Sequence, residues 1–357
     1  VLAGRYAPEV IALPAPDGLV RARATGIHRD RRTVALADGA EIAYDTLVLA
    51  TGSNPVLPPL RGLFTPDHVL PEGVHAFRTM DDCLGLSKAV RPGVRAVVIG
   101  GGLLGVSAAR ALAQRGAQVV LAQQGERLME RQLDPSASKL VKRHLKDLGV
   151  EVHTECRVRD VRCVGGAVRS VEMHDGYALD ADLVVLACGV HPRVGLARTA
   201  GLDVRKGIVV DDELRTSDPR IRAIGDCAQH DDTVYGLATP ALEQADTLAE
   251  LLAGRANARY TGTRSLTRLT LTGPDSPFDL AAFGEPEPRP GDDVVQLADA
   301  TRGTYRKVVV RDDRLVGGVL VGELGTVGAL ARAWEGAEPL PSDGGPLLHL
   351  LTNDGGS

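Results

Sequence analysis

The chain has 357 residues, 44% hydrophobic and 24% charged, the makeup of a folded protein of two or three domains rather than a disordered one. A net charge of −5 leaves no basic footprint for nucleic acid, and aromatics at 3% leave no stacking platform for bases. No uncharged run reaches the roughly 20 residues that a membrane span requires, so no membrane partner is expected.

From the N-terminus, Val1 in place of a starting Met points to a cropped chain. The first organised segment, residues 34–55, repeats at residues 171–192. The offset is 137 without a gap, and nine of 22 positions are identical, including Asp38/Asp175, Gly39/Gly176, Gly52/Gly189 and Pro55/Pro192. Each copy reads as an Asp-Gly turn, a strand and then a buried apolar strand running into glycine. In-register turns and terminal glycines point to two copies of one supersecondary unit.

Asp81 and Asp82 are expected to cap the helix that enters the second domain. Arg95–Ile99 is a short apolar strand that runs into Gly100-x-Gly102-x-x-Gly105. A helical pattern follows from Leu103 to Arg115, and a second strand from Gln118 to Ala122. This context gives the glycine motif its meaning as a dinucleotide site. Gly100 allows the tight turn, Gly102 lets backbone approach a pyrophosphate, and Gly105 lets the helix pack on the strand. Leu103 and Leu104 open the helix whose N-terminus faces the anion. By the 137-residue offset, the first copy's own glycine turn would fall upstream of Val1. That unit is therefore expected to be N-terminally incomplete.

The second strand ends at Gln123-Gln124, where an acid would hold the ribose 2′-hydroxyl of NAD. Gln123 lacks that charge, so neither NAD nor NADP is selected. Arg127 reads equally as a partner for a 2′-phosphate and as a structural arginine. Thr216 leads into a turn and a short buried strand ending in Gly225-Asp226. A carboxylate at a strand's carboxyl end lies where open α/β sheets bind ligands and can accept bonds from ligand hydroxyls.

Ala50-Thr51-Gly52-Ser53, the Gly100–Gly105 motif and Thr216–Asp226, in that order, resemble the FAD-dependent pyridine nucleotide oxidoreductases. Gly101–Gly105, Arg127-Leu-Met-Glu-Arg-Gln-Leu-Asp134, Gly207–Asp211, Thr216–Pro219 and Tyr235-Gly-Leu237 are similar to the flavoprotein region of the NAD(P)H nitrite reductase large subunit. The likeness covers about residues 40–255 well. It implies FAD and NAD(P)H as cofactors, with Asp226 beside Gly225 on the ribityl chain. It places Thr51, Gly52 and Ser53 near the adenosine side, and Tyr235–Ala241 as a helix start aimed at the flavin ring. Gly189 would lie at the coenzyme site, followed by Arg193 where relatives have Asn. The implied fold class is α/β, with two Rossmann-like dinucleotide-binding domains, the FAD unit N-terminally truncated, and a small C-terminal α+β domain. The expected boundaries are 1–82 with 202–256, 83–201, and 257–357.

The five cysteines include no C-x-x-C pair, which disfavours a dithiol centre, and unpaired thiols fit a reducing cytoplasm. Cys227 reads as a small buried residue, His191 as a loop histidine. His144, His153 and His230 lack metal-ligand spacing. Asp211-Asp212-Glu213 reads as a solvated turn. With no cysteine after Cys227, the tail cannot build an iron–sulfur cluster. The chain is thus expected to be an electron-input module for an iron–sulfur or sirohaem acceptor, its oligomeric state open. Alternatives are a stand-alone rubredoxin or ferredoxin reductase, or a truncated non-catalytic nucleotide-binding protein.

In the last hundred residues, Ser265–Thr272 alternates as a half-buried strand, and Arg306–Arg311 with Arg314–Val321 reads as a hairpin turning at Asp312-Asp313. A loop at Glu285–Gly291, a helix near Thr326–Trp334 and a frayed end at Asn353–Ser357 complete the expected elements.

Overall fold

A computed structural model describes residues 1–4, 7–11, 17–264, 266–271, 278–336 and 351. The chain forms two compact units, one of Val1–Pro8, Val56–Gly189 and Arg264–Ser357, the other of Glu9–Pro55 and Val190–Thr263.

The second unit begins with an antiparallel sheet of β1 (Ala24–His28), β2 (Thr33–Leu36) and β3 (Glu41–Ala43). Between β2 and β3, Asp38 accepts the Ala40 N–H at 3.0 Å and Gly39 takes φ 87°, the left-handed conformation that glycine adopts without cost. β4 (Leu47–Leu49) and β5 (Ser53–Pro55) follow.

At Val56 the chain enters the other unit. It contributes β6 (Val74–Ala76), α1 (Met80–Ala89), β7 (Arg95–Ile99), α2 (Leu103–Gln114), β8 (Gln118–Ala122), α3 (Pro135–Asp147) and β9 (Glu151–His153). An antiparallel excursion of β10 (Val158–Val164), β11 (Ala167–Met173) and β12 (Ala178–Asp180) leads back to β13 (Leu183–Leu186). The main sheet has the order β6-β13-β7-β8-β9, every pair parallel. Ala96, Val97, Val98, Leu183, Val184, Val185 and Leu186 are all buried, as strands covered on both faces must be. α1 starts at Thr79, whose hydroxyl accepts the Asp82 N–H at 3.1 Å while the Asp82 carboxylate accepts the Thr79 N–H at 2.7 Å. Asp82 thus helps to cap the helix from its first turn, with Thr79 as the capping residue itself.

The chain returns to the second unit with β14 (Val190–Pro192), α4 (Gly195–Thr199), β15 (Ile208–Val210), β16 (Ile221–Ala223), β17 (Ala228–His230) and α5 (Ala238–Leu252). β16 pairs parallel with β4, and β15 with β17. The two copies of the repeat adopt one form. Asp175 accepts the Tyr177 N–H at 3.0 Å and Gly176 takes φ 91°, matching Asp38 and Gly39. The copies also meet each other. β5 and β14 pair antiparallel, Asn54 opposite its own repeat counterpart His191.

The last elements are β18 (Thr267–Thr270), β19 (Asp279–Gly284), β20 (Asp293–Asp299), β21 (Thr304–Arg311), β22 (Arg314–Gly322) and α6 (Val327–Gly336). The five strands form an antiparallel sheet of order β18-β19-β22-β21-β20. Asp312 and Asp313 make the β21–β22 turn with φ 49° and 57°, a twist that suits a two-residue hairpin. The expectations for Ser265, Thr272 and Asn353–Ser357 fall outside the described residues.

The compact units divide the chain elsewhere than the expected boundaries. β6 pairs with β13 through Val74 and Val184, which draws residues 56–82 to the β7 sheet. β14 pairs with β5, which draws residues 190–201 to the other unit. The C-terminal sheet belongs with residues 56–189, because Leu280, Tyr305, Val319 and Val321 share one buried cluster with Leu112, Val141 and Leu145. A polar clamp crosses this packing. Asp134, the N-cap of α3, accepts bonds from Tyr305 Oη at 2.5 Å and Lys307 Nζ at 3.0 Å. Burial works against the Asp134 carboxylate, but those two donors and the Ala137 N–H hold it below its ordinary range.

Candidate nucleotide-binding sites

The first site is the turn between β7 and α2. β7's neighbours in the sheet are β8, the next strand along the chain, and β13, which arrives after the excursion. Strand order reverses at β7, and ligands of open α/β sheets bind at the carboxyl end of that position. Two of the three glycines are there for packing. A Cβ on Gly100, at φ 109°, would stand 2.4 Å from the Ala187 carbonyl oxygen, and one on Gly105 would stand 1.8 Å from that of Gly100. Gly102 differs: a Cβ there meets nothing within 4 Å, so its missing side chain leaves room beside the backbone. Gly102 is also the N-cap of α2, which has no capping side chain and no acidic residue in its first turn. Leu103 and Leu104 present their backbone at this uncapped, electropositive helix start, so the turn fits a pyrophosphate.

Neighbouring bonds hold the turn rigid. Gly100 N–H donates to the Ala122 carbonyl at 2.8 Å, and Met129 N–H to that of Gly101 at 2.9 Å. Gln123 Oε1 accepts the Gly101 N–H at 2.7 Å, and its Nε2 donates to the Arg127 carbonyl at 3.4 Å. Gln123 therefore braces the glycine turn at the strand end where an acid would hold the ribose of NAD. Arg127 lies half-buried and pairs with Glu287 at 3.3 Å. Gly189, at φ 102°, follows β13, and its carbonyl accepts the Val56 N–H at 2.9 Å.

The second site lies in the other unit at the carboxyl end of β16. Gly225 takes φ 75° and starts a short 3-10 turn carrying Asp226. Ser53 Oγ donates to the Asp226 carboxylate at 2.7 Å, which joins two residues that the sequence named separately. Thr51 Oγ1 donates to the Arg193 carbonyl at 2.7 Å, and Arg193 N–H to the Gly52 carbonyl at 2.9 Å. Arg193 Nε also donates to Asn54 at 2.8 Å. These bonds fix the Thr51–Ser53 bend from β14. α5 begins after Gly236 with no capping side chain and no acid in its first turn, a second electropositive helix start.

Sequence reading missed the residue that anchors this turn. Gln244 on α5 is 1% exposed, and its Oε1 accepts the Gly225 N–H at 2.7 Å. Its signal was present: Pro240, Gln244 and Leu248 recur at four-residue spacing on the buried face of α5, where a lone amide needs a partner. Behind it, Tyr260 bonds to Thr263 at 2.7 Å and stacks edge-on against Tyr235 and His230. Burial pushes the Tyr260 phenol up to about 12.

All five cysteines are free thiols. Cys227 is fully buried and donates to the Leu49 and Ile224 carbonyls. Burial pushes the Cys188 thiol up to about 11, so it stays protonated at neutral pH. His230 pairs with Asp212 at 2.9 Å, and Glu213 pairs with Arg215 and Arg259. Asp211 and Asp212 are exposed in the expected turn, and its side chains also make these pairs. His191 is exposed on β14. Among the described residues no group of three metal-ligating side chains occurs, and no helix is long and apolar enough to cross a membrane.

Comparison with known proteins agrees with this architecture. The profile of the pyridine nucleotide-disulphide oxidoreductase family matches residues 15–245, and that of the rubredoxin NAD+ reductase C-terminal domain matches residues 271–335. The chain is 38% identical over 321 residues to the nitrite reductase [NAD(P)H] large subunit of Klebsiella oxytoca, covering 88% of this chain and 32% of the relative. It is 34% identical over 299 residues to the assimilatory nitrate reductase electron transfer subunit of Bacillus subtilis, covering 83% and 37%. The chain thus spans about a third of the length of these relatives. Among solved structures, the covalent putidaredoxin reductase–putidaredoxin complex aligns with TM-score 0.83 and 27% identity, over 98% of this chain and 86% of that one.

Proposed function

Because the chain belongs to the pyridine nucleotide-disulphide oxidoreductase family, an NAD(P)H-dependent oxidoreductase group, we propose that it is the reductase portion of an electron-transfer protein. In this reading NAD(P)H binds at Gly100–Gly105 and FAD at Asp226, and the electrons leave for an iron–sulfur or sirohaem acceptor. The carrying observation is the open Gly102 position at the uncapped start of α2, between two glycines locked by packing.

FAD, when bound, supplies the redox chemistry, accepting two electrons as hydride and releasing them singly. The residues present fit the ribityl and ring end of that group. Asp226 offers carboxylate oxygens to hydroxyls, and α5 offers an electropositive end. Among the described residues no second Gly-x-Gly-x-x-Gly turn accompanies them. Gln244 holds the Gly225–Asp226 turn, and Ser53 holds the carboxylate. At the other site, Gln123 and Met129 keep the Gly100–Gly102 backbone in place for the pyrophosphate. No side-chain acid or base is assigned, since hydride transfer needs orientation rather than proton transfer.

The Bacillus relative named as an electron transfer subunit supports an input module feeding a further centre. The match of a rubredoxin reductase C-terminal domain supports a second reading, a reductase that serves a small separate iron–sulfur protein. Paired thiols are absent from both readings, as all five cysteines are free.

The test is the visible spectrum of the purified chain supplied with FAD and desalted, before and after anaerobic NADH or NADPH. A retained flavin band that bleaches is expected. Loss of all flavin on desalting, or a band that neither coenzyme bleaches, contradicts the proposal for this chain.

A further inference from the structure

We propose that Glu287 sets the coenzyme preference of the Gly100–Gly105 site by occupying Arg127, so that the chain favours NADH over NADPH; this rests on the nucleotide reading above. β8 ends at Gln123, whose amide is already engaged, with Oε1 on the Gly101 N–H and Nε2 on the Arg127 carbonyl. That second bond seats Arg127 beside the strand end where the adenosine ribose of a coenzyme lies in such a sheet. An acid there would accept the 2′-hydroxyl of NAD, and an arginine would accept the 2′-phosphate of NADP. Here the arginine is present, but it is spoken for. Its side chain is 28% exposed, its Nε is buried without a partner, and its Nη2 reaches the Glu287 carboxylate at 3.3 Å.

Glu287 stands between Pro286 and Pro288 in the loop that joins β19 to β20. Two prolines restrict the backbone on both sides of it, and from that position its carboxylate meets Arg127 Nη2. Nearby, Glu130 accepts the Arg127 backbone N–H at 3.1 Å. A 2′-phosphate carries nearly two negative charges. To reach the guanidinium it must displace Glu287. A 2′-hydroxyl need not. Discrimination thus comes mainly from a repulsive element, the usual device where attraction alone separates two similar ligands poorly. Freed from Glu287, the Arg127 fork would match a phosphate in bidentate fashion.

The test uses 5′-ADP and 2′,5′-ADP as probes, titrated calorimetrically into the whole chain, with no flavin required. The wild type is expected to bind 5′-ADP several-fold more tightly than 2′,5′-ADP. Glu287→Gln is expected to tighten 2′,5′-ADP about threefold to fivefold and to leave 5′-ADP within about 1.5-fold. Adding Arg127→Leu to Glu287→Gln should abolish that gain. A wild type that prefers 2′,5′-ADP, or a ratio that Glu287→Gln leaves unchanged, overturns the assignment to Glu287 while leaving the nucleotide site standing. Absence of any 5′-ADP binding, or binding that Gly102→Val does not weaken, overturns the nucleotide reading itself.

Discussion

The Ser53 hydroxyl donates a 2.7 Å hydrogen bond to the Asp226 carboxylate across 173 residues of sequence. Ser53 opens β5 just after the Gly52 bend, and Asp226 follows the Gly225 turn at the end of β16. Because β16 runs parallel to β4, both strands end on the same side and their following turns converge. A carboxylate so oriented is ready to accept ligand hydroxyls without first finding its rotamer.

Removing either member should therefore weaken flavin retention to different degrees. Asp226→Ala is expected to raise the FAD dissociation constant tenfold or more, since bonds to a charged acceptor contribute about 1.5–3 kcal/mol each. Ser53→Ala, which keeps the carboxylate but loses its 2.7 Å orienting bond, should cost about 1 kcal/mol. Equilibrium dialysis with FAD measures both, and equal effects would contradict the division of roles.

The glycines of the first site separate stability from binding. Gly105→Ala forces a Cβ to within 1.8 Å of the Gly100 carbonyl, so α2 must shift and about 1–3 kcal/mol of stability should be lost. Gly102→Ala meets no atom and should leave the melting temperature within a degree or two, yet weaken ADP binding about tenfold by crowding the pyrophosphate. Thermal melts and titrations on the two variants check the contrast.

Gln244→Leu removes the acceptor of the Gly225 N–H from a position that is 1% exposed. A buried donor left without a partner costs about 1–3 kcal/mol. A lower melting temperature is expected, with FAD affinity falling in step because Asp226 is carried by the same turn. Gln244→Glu keeps an acceptor and should recover flavin affinity more than stability.

Acid should loosen the clamp between α3 and the C-terminal sheet. The Asp134 carboxyl lies below its ordinary range in the folded chain, so its contribution is present above about pH 3.9 and disappears as pH falls through the folded value. Unfolding free energies measured from pH 5 downward should show this slope in the wild type and less of it in Asp134→Asn. At neutral pH the same variant should lose about 3–5 kcal/mol, because Lys307 is left buried without its counter-charge.

Thiol chemistry should be dispensable. With Cys188 pushed up to about 11 and Cys227 fully buried, alkylation by iodoacetamide under native conditions should leave coenzyme-driven bleaching of bound flavin unchanged. Inhibition in proportion to modification of one cysteine would point to a thiol in the reaction.

Features that depend on neighbours along the chain were legible from residue order. Asp38-Gly39 and Asp175-Gly176 turn where they must, because a short acceptor and a glycine suit those angles. β7, the glycine turn, α2 and β8 were legible because apolar runs and glycine spacing are local signals. The hairpin at Asp312-Asp313 was legible for the same reason. Features that depend on distant partners emerged only on folding. Parallel pairing joined Val74 to Val184 across the sheet, and no local pattern says which strand a strand will join. Gln123 became a brace, Gln244 an anchor and Asp134 a clamp for Lys307. Each is a polar group that burial obliges to find a partner, and only the folded chain says which partner is within reach.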